Sequence, residues 1–344
     1  MSSEGTIVGG RFRLDQPIGR GRAGIVWLAF DTRLFRTVAV KRMYLPVGLP
    51  SDRAEQARAQ AMQEGKDAAR IDHPCAITVF DVLPDGQDVW LVMEWIPSRS
   101  MSTFLAEHGR LTPDQAAALG IQLGATLSAI HDAGIVHRTL EPGTVLLADD
   151  GGVKLTDIGI SGGGPDQAYV APEVAQGLPP TPASDVFALG ATLYTAVEGV
   201  PPFGEDGKAA ERPAQNSGVL TEALHKMLRS DPLSRPTMAD TVRALTAITE
   251  GRETAFIPPT APAMPTVPAS RPVAPGPIQQ IPMGQYGPMT QQLPPEQAAT
   301  QYIPPVAPPA PQRNVEATKK WVITAAAILA AILLGILVSE LFFV

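Results

Sequence analysis

The sequence has one cysteine, Cys75, in 344 residues, which excludes a disulfide framework and any cysteine-rich metal site and is compatible with a reducing compartment. It follows a His-Pro pair at the predicted end of a helix, where a small buried residue fits. Long basic runs are missing as well. With 27 Lys and Arg against 34 Asp and Glu the net charge is −7, which argues against nucleic acid as a main partner. His73, His108, His131 and His225 are scattered, in a pattern that suits packing or solvent rather than a metal. Residues 1–15 are polar and glycine-bearing, so no leader peptide is expected. Charge and large aliphatics are scarce over 251–318, which holds 17 of the 35 prolines and cannot bury enough apolar surface to fold. The chain therefore divides into a folded domain over 9–250, a proline-rich linker over 251–318 and an end segment over 319–344.

The end segment is the one long apolar run. Residues 321–338 carry no charge, and at helical rise they span roughly 27 Å, the thickness of a bilayer's hydrocarbon core. Lys319 and Lys320 precede the run and Trp321 marks an interface, so the positive-inside bias predicts a single-pass anchor in the cell membrane with the folded domain in the cytoplasm.

Within the folded domain, short β-branched runs (IVWLAF, TVAVKRM, AITVFDV, VWLVMEW) broken by Gly, Asp and Pro read as antiparallel strands. SDRAEQARAQAMQEGKDAAR, between them, opens with a Ser-Asp cap and reads as one helix. After Pro97 helical patterns dominate: STFLAEH, TPDQAAALGIQLGATLSAIHDAG, TPASDVFALGATLYTAVEG and VLTEALHKMLRSD. The expected fold class is α+β, with a small β-rich lobe, a larger helical lobe and a connection over 94–98.

Seven motifs stand in order along this domain. IGRGRAGIV places Gly19, Gly21 and Gly24 in G-x-G-x-x-G spacing; VAVK supplies Lys41; Glu64 follows on a helix; HRTLEP, DIG and APE come next, then SDVFALG and DPLSRPT. Over residues 8–250 the order resembles bacterial eukaryotic-type (Hanks-type) serine/threonine protein kinases. The resemblance implies a two-lobed kinase-like fold. It also implies a nucleotide site, for ATP or ADP, built from Gly19, Gly21, Gly24, Val26, Ala39, Lys41, Glu64, Met93, Glu94 and Asp157. In such kinases the lysine reaches the α and β phosphates and pairs with the helix glutamate. His137, Arg138, Glu173, Asp185 and Arg235 take buttressing positions, the last pairing with the APE glutamate.

The departures from that pattern cluster where the chemistry is done. Thr139 stands for the aspartate that orients and deprotonates the substrate hydroxyl, and a threonine hydroxyl cannot act as that base. Glu141 stands for a lysine that steadies the transferring phosphate. At 4 Å and an effective dielectric of 20 one unit pair is about 4 kcal/mol, so the inversion costs up to about twice that before screening. Thr144 replaces the asparagine that helps hold Mg²⁺, leaving Asp157 to hold a single ion. The activation segment is short, ISGGGPDQAYV, with Asp166 where a threonine normally contacts the catalytic aspartate and Ser161 as its one serine or threonine open to phosphorylation. Loss of a general base alone costs about 10² to 10⁴ in rate.

These features predict a membrane-tethered pseudokinase, a scaffold or regulator that binds nucleotide without transferring phosphate. Two alternatives stay open: a weak or atypical serine/threonine kinase using Glu141 or Asp157, and an adaptor whose proline-rich tail works beside an inert domain. In the linker, TAFIPP at Thr254, TQQLPP at Thr290 and TQYIPP at Thr300 repeat a threonine, then Ile or Leu three residues on, then two prolines. The expected partners are an active kinase that phosphorylates Thr254, Thr290 and Thr300 and a forkhead-associated domain that reads the phosphothreonine.

Overall fold

The computed structural model describes residues 4–251. The linker beyond Gly251, with Thr254, Thr290 and Thr300, and the apolar end segment lie outside the described residues, within which no helix is long and apolar enough to cross a membrane.

The small lobe comprises β1 (Ile7–Val8), β2 (Phe12–Gly21), β3 (Gly24–Asp31), β4 (Arg36–Met43), α1 (Ser51–Ala68), β5 (Val79–Asp85) and β6 (Asp88–Met93). Its strands form one antiparallel sheet in the order β1-β2-β3-β4-β6-β5. Side chains alternate across a sheet, and here both faces are covered. Val38, Val40, Trp90 and Val92 join Phe12, Leu14 and Trp27 in one core, while Ala39, Met43, Leu91 and Met93 join Ala61 and Ala68 of α1 in the other. The helix lies close on the sheet because Gly65 has no side chain: a Cβ there would stand 2.7 Å from Val82 Cγ2. The predicted Ser-Asp cap falls inside the helix instead, with Pro50 at the N-cap and Asp52 in the first turn, where a carboxylate favours the helix dipole.

After a connection over 94–97 the larger lobe follows as β7 (Ser98–Ser100), α2 (Met101–His108), α3 (Pro113–Asp132), β8 (Val145–Ala148), β9 (Val153–Leu155), α4 (Pro172–Ala175), α5 (Pro182–Glu198), α6 (Thr221–Met227) and α7 (Met238–Thr249). A reciprocal capping box between Thr112 and Gln115 starts α3. Gly120 and Gly124, one turn apart on that helix, let it pack tightly: added Cβ atoms would meet Leu245 and Leu193 at 2.7 and 2.8 Å, and Val242 at 2.6 Å. α5 is buried along almost its whole length, as its apolar sequence demands. Strands β7, β8 and β9 form a second antiparallel sheet at the cleft, carrying the loop over 137–144 between α3 and β8.

Candidate functional site

Alternation along β4 turns Lys41 toward the cleft, on the face of Ala39 and Met43, where it is 3% exposed. Strand register brings the predicted residues together: Val26 is opposite Lys41, Ala39 opposite Met93, and Gly19 opposite Val26. The turn of the β2–β3 hairpin, from Gly21 to Gly24, caps this face. Only the last glycine is demanded by space. A Cβ on Gly24 would lie 2.0 Å from the Arg42 carbonyl oxygen, whereas Gly21 has open room. Glu94 is committed elsewhere, since its carboxylate accepts from Lys154 Nζ at 2.6 Å and from the Thr78 amide at 2.7 Å.

The pairing of Lys41 with Glu64 implied by the resemblance is not made. Lys41 Nζ instead donates to Asp157 Oδ1 at 2.5 Å. Glu64 is drawn to the activation segment, where it accepts from Ser161 Oγ at 2.7 Å and the Ser161 amide at 3.1 Å, and from Arg138 at 3.3 Å. Its carboxylate lines a cavity of about 450 Å³ shared with Tyr44, Gln60, Ala61, Ser161 and Gly163. The helix glutamate is taken up by donors on Ser161, Arg138 and Gln60, and the lysine pairs with Asp157 instead.

Asp185, buried at the start of α5, organises the loop over 137–144. It accepts from the amides of His137 and Arg138 at 2.8 and 3.0 Å and from His131 Nε2 at 2.7 Å. This hold keeps Arg138 at φ 74°, a left-handed conformation disfavoured by roughly 1–2 kcal/mol for such a residue. His137 is fully enclosed, with Nε2 on the Thr156 carbonyl, and burial pushes its pKa down. A second buttress joins Glu173 of α4 to Arg235 through two bonds of 2.7 Å.

The three altered positions lie together. Thr139 is buried and its hydroxyl has no hydrogen-bond partner. The Thr144 hydroxyl is used locally, accepting from the Glu141 amide at 3.1 Å and facing the Glu141 carbonyl at 3.0 Å. Glu141 is pushed up to about 7 by burial and by the charges of Asp166 and Asp157, with Arg22 acting against them. Two Mg²⁺ ions do not fit this donor set. The Thr144 hydroxyl is held by the backbone of Glu141 and Asp157 Oδ1 by Lys41, and among the described residues no three His, Cys, Asp or Glu side chains converge on one point.

The short activation segment is clasped to the glycine turn. Arg22 at its tip donates to Asp166 Oδ2 at 2.5 Å and places Nε 3.8 Å from Glu141 Oε2. Beneath it Gly163, at φ 81°, lies so near the Arg22 carbonyl that a Cβ would stand 1.7 Å from its oxygen.

Two lobes about a cleft, a glycine turn over a buried lysine, and a loop hung from a helix aspartate define a protein kinase fold. Residues 12–245 match the protein kinase domain family, and the chain belongs to it, within its bacterial Hanks-type serine/threonine branch. The chain is 35% identical over 283 residues to the serine/threonine-protein kinase PkaA of Streptomyces coelicolor, covering 71% of this chain and 51% of that one. It is 34% identical over 263 residues to PknA of Mycobacterium tuberculosis, covering 71% and 57%. The match thus spans about half the length of these relatives. Among solved structures, the PknI kinase domain of Mycobacterium tuberculosis superposes with a TM-score of 0.61 at 21% identity, covering 72% of this chain and 99% of that one. Rad53 in complex with AMP-PNP superposes with a TM-score of 0.58 at 24% identity, covering 68% and 64%.

Arg22 and His131 escaped the sequence reading. The arginine was hidden inside a glycine motif, although an added acid at Glu141 was a signal to look for a new cation. His131 sat among scattered histidines, and nothing local tied it to Asp185. Cys75, expected buried, is half-buried.

Proposed function

We propose that this chain is a pseudokinase that binds nucleotide without transferring phosphate and acts as a membrane-tethered signalling scaffold. The observation that carries the reading is Thr139. A buried, unpartnered hydroxyl stands where the family places its catalytic aspartate, beside a carboxylate at Glu141 in place of a lysine. Retention of Lys41 and the glycine turn over a cleft supports nucleotide binding. The test is transfer of labelled phosphate from ATP to the full chain, or to a generic protein substrate, with Mg²⁺ or Mn²⁺. No incorporation is expected, and robust autophosphorylation free of contaminating kinase overturns the reading.

One observation favours the atypical-kinase alternative. A carboxyl group poised near 7, as Glu141 is, has the pKa of an effective general base. Glu141→Gln separates the two readings, because it abolishes residual transfer only if Glu141 is that base.

The apolar run over 321–338 supports a single membrane span with the kinase-like domain in the cytoplasm, and the three linker repeats support capture of a forkhead-associated domain after phosphorylation by a partner kinase. Protease added to the cytoplasmic side of sealed vesicles is expected to digest the kinase-like domain; its protection reverses the topology.

A further inference from the structure

The nucleotide reading leaves open which nucleotide the cleft takes, and the clasp at its far end bears on that choice. In protein kinases the glycine-rich turn covers the phosphates, the strand lysine serves the inner ones, and the transferring phosphoryl lies outermost, toward the catalytic loop. Arg22, Glu141 and Asp166 bridge those same two elements here. Arg22 reaches from the turn to Asp166 at 2.5 Å and to within 3.8 Å of Glu141, and the backbone of Gly163 is packed beneath the Arg22 carbonyl.

We propose that the cleft is selective for a nucleoside diphosphate over the triphosphate, because Arg22, Glu141 and Asp166 close the place a γ-phosphate needs. The inference rests on the nucleotide-binding reading above. A diphosphate ends at Lys41, which exchanges Asp157 for the phosphate as its partner. A third phosphate must either pull Arg22 away from two carboxylates or lie against them with its charge unmet. Neither of the usual remedies is at hand. The lysine that would meet this charge is Glu141, and the Thr144 hydroxyl, in place of the asparagine that helps hold the metal, is spent on the backbone of Glu141.

The experiment is calorimetric titration of the full chain with ADP and with ATP, each without metal and with Mg²⁺, repeated on Glu141→Lys and on the near-isosteric Glu141→Gln. ADP is expected to bind at least tenfold more tightly than ATP, with the gap narrowing in Glu141→Gln and closing or reversing in Glu141→Lys. If the lysine variant fails to fold, the glutamine variant still decides. ATP binding as tightly as ADP overturns this inference and leaves the nucleotide reading standing. If neither nucleotide binds, the nucleotide reading itself falls. A preference for ADP that both variants leave unchanged removes the clasp as its cause and overturns the assignment.

Discussion

Lys41 Nζ lies 2.5 Å from Asp157 Oδ1, while Glu64, the acid that kinases of this family set beside the lysine, is held 2.7 Å from Ser161 Oγ. The cleft thus rests in an arrangement in which the lysine is already neutralised from below. A nucleotide entering the cleft would have to compete with Asp157 for it.

That pair is almost fully enclosed, with side-chain exposures of 4% and 11%. Removing one member of a buried pair strands the other, at a cost of about 3–5 kcal/mol. Lys41→Met is therefore expected to lower stability in urea by about 3 kcal/mol without any nucleotide present. Unchanged stability means the pair is not formed in solution.

The glycines of the turn should differ sharply. Gly24→Ala drives a Cβ to 2.0 Å from the Arg42 carbonyl, against backbone that cannot move aside, and Gly21→Ala enters open space. The first should cost more than about 2 kcal/mol, and the second less than about 1 kcal/mol. Paired denaturation curves check the contrast, which equal losses would contradict.

Protonation of Glu141 gives a pH signature. Its carboxyl sits at about 7 against an ordinary 4.5, so the folded chain binds a proton that the unfolded chain has released between those values. The Glu141 contribution is complete below pH 4.5 and is lost as pH rises through about 7. Glu141→Gln, which keeps no charge, should gain on the parent from pH 5 to pH 8 by up to roughly 3 kcal/mol. Asp31 behaves oppositely, held at about 2 chiefly by its bond to Arg11, and it cancels in the comparison. A difference independent of pH would remove Glu141 as the titrating group.

Arg22 is half exposed, so its ion pairs add little to global stability, under about 1 kcal/mol. Its effect should be local. Arg22→Ala is expected to leave the melting temperature nearly unchanged while amide exchange over 161–166 accelerates. Unaltered exchange there would show that the clasp is not what orders the segment.

For the linker, synthetic peptides around Thr254, Thr290 and Thr300 should bind a forkhead-associated domain only when phosphorylated, and Thr→Ala versions should not bind. Capture by the unmodified peptides would point to recognition of the proline runs instead.

Much of this architecture is legible from pattern. Alternation in TVAVKRM places Lys41, and α1, α3 and α5 each carry enough turns for composition to declare them, though the cap read for α1 is misplaced. Strands β7 and β9, three residues each, are too short to show any period. The motif order locates the cleft residues, because the fold brings distant segments to fixed places. Which carboxylate Lys41 selects is different in kind. It depends on competition among donors a few ångströms apart, and no motif encodes the offer that Ser161 and Arg138 make to Glu64.

The attachment of the loop to Asp185 separates form from reactivity. Its entry is imposed through backbone amides at His137 and Arg138 by an acid on another helix, and the Glu141 and Thr144 side chains brace the turn that follows, so the unpartnered side chain of Thr139 takes no hydrogen-bonded part in setting its path. Selection could therefore rewrite Thr139 without passing through a misfolded intermediate. The same independence marks it as a place where a designer can trial new chemistry on an unchanged frame.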